Sequence, residues 1–130
     1  MTWILLLPFI FLGAAMGHAQ SWNDNYRMAM AKWPTDPAVS CTLFSDLSKI
    51  TKSPLTPLAA TRFAHYCMTN QLADAIQKLR TLHSQHAWLS PLTLEALIEL
   101  AKKNRDKQTL VEFASAQVKM LSSQKEKERI

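Results

Sequence analysis

The sequence predicts an all-α protein of about six helices arranged as antiparallel hairpins, and three observations lead there. Only two glycines occur in 130 residues, too few for the turns of a strand-rich chain. Long runs of Ala, Leu, Lys and Gln favour helix. Apolar residues recur at i, i+3, i+4 between breaks marked by Pro and Asn. Hydrophobic content of 48% against 19% charged places the chain with folded domains rather than disordered ones, and the length allows one modest core.

The first residues read as an address. Trp3 to Leu12 is apolar, is interrupted by Pro8, and is followed by small residues. Gly17 and Ala19 occupy the −3 and −1 positions of a small-x-small cleavage site, so residues 1–19 are expected to be a signal peptide cleaved before Gln20. An uncleaved anchor is the alternative, because no Lys or Arg precedes the apolar run. That run is nevertheless shorter than the ~20 residues of a membrane span. Export places the protein in a periplasm or outside the cell, where Cys41 and Cys67 are expected to form a disulfide. They lie at equal distances either side of Pro54, which levels them in an antiparallel helical hairpin. Two buried free thiols are the alternative; no C-x-x-C redox pair occurs.

The elements follow in order. Trp22, Tyr26, Ala29, Met30 and Trp33 fall at helical spacing until Pro34 ends the run. Their aromatic face is read as packing against the core, with a ligand shelf as the alternative. Asp36 and Pro37 are a cap and a first helical residue, and Val39, Leu43, Leu47 and Ile50 make the second helix's stripe. Thr56 and Pro57 repeat the start signal. Ala60, Phe63, Ala64 and Cys67, widened by Ala59 and Tyr66, face inward, and Asn70 ends the third helix in the left-handed conformation. Leu72, Ala75, Ile76, Leu79 and Leu82 form the fourth stripe. Ser90 and Pro91 open a fifth helix with Leu94, Leu97, Ile98 and Ala101 inward and Glu99 to Lys103 as a solvated i,i+4 pair; Asn104 marks its turn. Leu110, Phe113, Ala114, Val118 and Leu121 form the sixth stripe, with Val111 and Met120 beside it. Residues 122–130 read as a polar tail that frays.

Laid over each other at an offset of 34 residues, the stretches Thr56–Gln85 and Ser90–Lys119 match at Pro57 and Pro91, Leu58 and Leu92, Asn70 and Asn104, and Ile76 and Leu110. That offset is the period of helix–turn–helix repeats. The two units resemble tetratricopeptide-type repeats, with Asn70-Gln71-Leu72-Ala73-Asp74-Ala75-Ile76 similar to the turn and opening of the family's helix B, and Tyr66 where its helix A carries tyrosine. The pattern departs at Phe63 and Leu97, where the family has a small residue, at Thr109, where it has alanine, and at Ala87, where it has proline. The resemblance covers about half the chain and implies a short superhelical array over residues 20–121 with a partner-binding concave face. The segment from Trp22 to Ile50 would supply a degenerate first unit. At the level of fold alone, the array is also similar to the superhelical part of soluble lytic transglycosylases.

The formal charge of +5 lies wholly after residue 19, and part of it collects in Lys102, Lys103, Arg105, Lys107, Lys119, Lys125, Lys127 and Arg129. The interleaved acids read as a solvated face, and the excess suits an anionic cell-wall polymer. No dense basic run with aromatics occurs, so nucleic acid is not an expected partner. His83 and His86, with His65 on the neighbouring helix, lack a specified third metal ligand and are read as solvent-facing or capping. Glu95 and Glu99 stack on one helix rather than facing across a cleft. No nucleophile elbow or phosphate loop occurs. No catalytic residue, metal or cofactor is therefore expected.

The function expected is an exported non-catalytic adaptor binding another protein through the helix A side: Arg62, His65, Thr69, Glu95, Glu99 and Lys102. A homodimer through the last helix, at Val111, Val118 and Met120, is a further possibility. The alternatives are an accessory protein of peptidoglycan metabolism and a small secreted enzyme or toxin.

Overall fold

A computed structural model describes residues 22–128. The expected signal peptide and its cleavage point lie outside the described residues, as do the last two residues of the tail. The fold is all-α: helices α1 (22–32), α2 (Pro37–Ser48), α3 (Thr56–Cys67), α4 (Leu72–Gln85), α5 (Ser90–Lys103) and α6 (Lys107–Glu128), with a 3-10 turn at Ala87–Leu89. No strand occurs among the described residues, and none of their helices is long and apolar enough to cross a membrane. Two compact units divide at Thr56 and Pro57.

The first unit pairs α1 with α2. Helix α1 stops at residue 32, two before Pro34, because the residue preceding a proline disfavours helical geometry. The Asp36 carboxylate accepts from the Val39 N–H at 3.3 Å and Pro37 follows it, as the sequence predicts. The buried face of α2 differs from the expected stripe: Ser40, Phe44 and Leu47 are inward, while Val39 and Ile50 are exposed. The Ser40 hydroxyl donates to the Ala29 carbonyl at 2.7 Å, so a small residue lets the two helices approach and satisfies its own polar group. Tyr26 meets Phe44 edge-on at 6.0 Å and stacks on Trp22 at 5.6 Å. The aromatic face of α1 is thus a packing surface, as expected.

The second unit is built around α5. Six of its fourteen residues are buried: Thr93, Leu94, Ala96, Leu97, Leu100 and Ala101. A helix flanked on two sides needs this wider face, and α5 packs against both α4 and α6. Ala75, Ile76 and Leu79 of α4, Ala64 of α3 and Phe113 of α6 complete the core. Helix α3 is turned relative to its expected stripe: Ala59, Thr61, Ala64 and His65 are buried, and Ala60, Phe63 and Cys67 are only half-buried.

Several helix ends correct the sequence reading. Thr56 and Ser90 are first helical residues rather than caps. The Thr56 hydroxyl donates instead to the Ile50 carbonyl, and the 3-10 turn runs directly into α5. The left-handed residue is Arg105, with φ of 55°, and neither Asn70 nor Asn104. Arg105 N–H donates to Lys102 at 3.2 Å and Asp106 N–H to Ala101 at 2.9 Å, the paired bonds of a Schellman ending. Asp106 then caps α6, its carboxylate accepting from the Thr109 N–H at 3.1 Å. Finally, α6 stays helical through Glu128 rather than fraying at residue 122.

Cys41 and Cys67 are joined as a disulfide. Closing the segment between them removes about 3 kcal/mol of unfolded-chain freedom, so reduction is expected to lower the melting temperature, as thermal unfolding with and without reductant will read. Leu97 is wholly buried at the centre of α5. Leu97→Ala is expected to cost about 3 kcal/mol in denaturant unfolding.

Candidate functional site

One side of the second unit, where α3 meets α5, is organised by a residue pair. His65 on α3 donates from Nε2 to Glu99 Oε2 on α5 at 2.8 Å. The two residues are 34 apart in the sequence. Lys103 reaches the other carboxylate oxygen at 3.3 Å, realising the expected i,i+4 pair. His65 stacks on Tyr66 at 4.6 Å between ring centres, and Arg62 donates from Nη1 to the Tyr66 hydroxyl at 3.0 Å. The carboxyl of Glu99 is held below the ordinary carboxylate range. The hydrogen bond from His65 is the largest cause; burial opposes it, and attraction to His65 together with the hydrogen bond and attraction from Lys103 add to the lowering.

This geometry sorts the expected contact residues. His65 is 7% exposed, buried beneath the surface rather than presented on it, and it serves to position Glu99. Glu95, Glu99 and Lys102 share a depression of about 250 Å³ with Ile98 and with Gln117 of α6. Arg62 is half-buried beside Tyr66. Thr69 is exposed in the turn after α3 and is not part of the depression's lining. Tyr66, Lys103 and Gln117 join the site without having been placed on the expected binding face. Lys103 was legible as a helical pair, but Gln117 carries no local signal.

A second polar node was not legible at all. Arg80 of α4 donates to the Thr109 hydroxyl at 2.7 Å, pairs with Glu112 at 2.9 Å, and lies 4.9 Å over the ring of Phe113. The Thr109 hydroxyl donates in turn to Asp106 at 2.6 Å. That bond, the first of several causes, holds the Asp106 carboxyl below its usual range. The node ties α4 to α6 and borders a polar depression of about 560 Å³. With its guanidinium already engaged by two partners and an aromatic face, Arg80 is a structural clamp.

Of the other histidines, His83 departs from the reading as solvent-facing or capping. His83 shares a hydrogen bond of 2.7 Å with the buried Thr93 hydroxyl and meets Phe113 edge-on. His86 does cap α4, its N–H donating to the Leu82 carbonyl at 3.0 Å. Among the described residues no three His, Cys, Asp or Glu side chains come together as a metal site. On the last helix Val111, Val118 and Leu121 are exposed, whereas Met120 packs against the core and is withdrawn from the expected dimer face.

The pH dependence of Glu99 has a definite sign. A folded value below the unfolded one stabilises the fold above the unfolded pKa, near 4.5, and that contribution is lost as pH falls through the folded value. Glu99 is about half exposed, so the contribution is at most about 1 kcal/mol. Glu99→Gln is expected to lower the melting temperature slightly at neutral pH and to flatten its fall on the acid limb, as melting temperature against pH will read. Set against known protein families, curated proteins and solved structures, the chain matches none.

Proposed function

We propose that this chain is an exported, non-catalytic adaptor whose second unit works as a short tetratricopeptide-like array and binds another protein along the helix A side. The single observation that carries the reading is the His65–Glu99 contact between positions 34 residues apart. Residues at matching places in successive repeats meet when the repeats stack in parallel register. The stacking leaves a surface with a half-buried Ile98 between an acidic Glu95 and a basic Lys102. Glu95 and Lys102 are exposed, and neither has an ion-pair partner among the described residues. The His65 and Lys103 contacts hold Glu99 in place, so the surface is pre-organised and loses little freedom on binding. The disulfide agrees with an oxidising compartment.

A role beside cell-wall enzymes is the second reading, favoured by the net charge of +5. Binding to purified peptidoglycan sacculi that is lost at high salt distinguishes it from the adaptor. For the adaptor, the decisive experiment is crosslinking in the exporting compartment with the unaltered chain and with Glu95→Lys/Lys102→Glu. The reversed charges are expected to abolish capture of the partner without changing the helical signal in circular dichroism. Retention of every crosslinked partner by the folded double variant sinks this reading.

A further inference from the structure

The turn joining α5 to α6 holds a charge arrangement that shares Lys102 with the adaptor face and otherwise lies outside it. A depression of about 300 Å³ opens there, lined by Ala101, Lys102, Arg105, Asp106, Lys107 and Leu110. Lys102, Arg105 and Lys107 are all exposed, and none has a side-chain hydrogen bond or ion pair among the described residues. The one carboxylate in the lining is already engaged. Asp106 accepts from the Thr109 N–H at 3.1 Å and from the Thr109 hydroxyl at 2.6 Å. Its hydrogen-bonding capacity is directed into the first turn of α6, leaving three cations around the depression against one occupied anion.

We infer that this turn is a binding site for a phosphate group carried on an ester. A carboxylate brings one charge and two oxygens, whereas a phosphate brings more charge and enough acceptors for a guanidinium fork and two ammonium groups together. The depression is larger than a bare phosphate, and Ala101 and Leu110 supply apolar lining for the carbon skeleton attached to it. The anion is held by side chains and not by the helix end, whose first-turn N–H at Thr109 is already capped by Asp106. Arg105 stands at a fixed place in this arrangement. The two Schellman bonds hold its backbone at φ 55°, a conformation that glycine adopts without cost and arginine does not. A phosphate ester reaches this site either as the headgroup of an anionic lipid or as a soluble molecule.

The backbone at Arg105 supplies a clean variant, since Arg105→Gly removes the guanidinium and suits the turn. Binding of the full chain is measured to inorganic phosphate and to glycerol 3-phosphate by calorimetry. Binding to phosphatidylcholine vesicles with and without phosphatidylglycerol is measured by co-sedimentation. Saturable, salt-weakened binding is expected, and Arg105→Gly/Lys107→Ala is expected to lower affinity about 25-fold, roughly fivefold for each cation removed near a charged group. Lys125→Ala/Lys127→Ala removes the same charge from the far end of α6 and is expected to change affinity by less than about threefold. Binding to the soluble probes supports a free ester as ligand, and binding to phosphatidylglycerol vesicles alone supports a lipid headgroup. Failure to bind any probe, or equal losses in the two double variants, overturns the site. Neither variant touches Glu95 or Lys102, so loss of this site leaves the crosslinking result for the adaptor face intact.

Discussion

The second unit depends on the burial of α5 on both flanks. Leu94, Leu97 and Leu100 are at most 2% exposed, and full burial of each leucine is worth about 2 kcal/mol. Together they weigh as much as the net stability of a small domain. Ala96 and Ala101, both fully buried, are small enough to let neighbouring backbones approach. Every other helix of the unit contributes apolar groups to the cluster this rod organises. The face of α3 and α5 proposed to bind a partner is therefore as rigid as the core beneath it.

Polar contacts then fix the register that the apolar core leaves loose. Arg80 joins α4 to α6 through Thr109 and Glu112, His83 joins α4 to Thr93 of α5, and His65 joins α3 to Glu99 of α5. A leucine tolerates sliding by a fraction of a turn, whereas a hydrogen bond of 2.7–2.8 Å does not. No buried side-chain polar atom among the described residues lacks a hydrogen-bond partner, so the network specifies an arrangement without an unsatisfied group. The first unit uses the same device on a smaller scale, with Ser40 bonded to the Ala29 carbonyl.

Element positions were largely legible from the chain. Pro37, Pro57 and Pro91 stand at or beside helix starts, and α4 spans nearly the predicted residues with its predicted Ala75, Ile76 and Leu79 inward. The faces of α2 and α3 were less legible, because periodicity counts apolar side chains while the buried faces also enclose the hydroxyl residues Ser40 and Thr61. Asn104 signalled the turn one residue early. Asparagine tolerates the left-handed region better than arginine, yet the Schellman bonds place that conformation at Arg105. Of the candidate face, Glu95, Glu99 and Lys102 share a helix and could be grouped by spacing alone. Gln117 could not, because it reaches the depression from another helix.

The amino-acid order by itself determined an all-helical chain, the places where its rods break, and the two sulfurs available to be joined, since each follows from local bonding preferences or from composition. Packing alone decided which side of each rod turns inward, that His65 is enclosed and aimed at Glu99, and that Arg80 serves as a clamp. The physical reason is one of range. Spacing along one helix describes a single surface, and the partner of a polar group belongs to whichever neighbouring helix comes within about 3 Å of it.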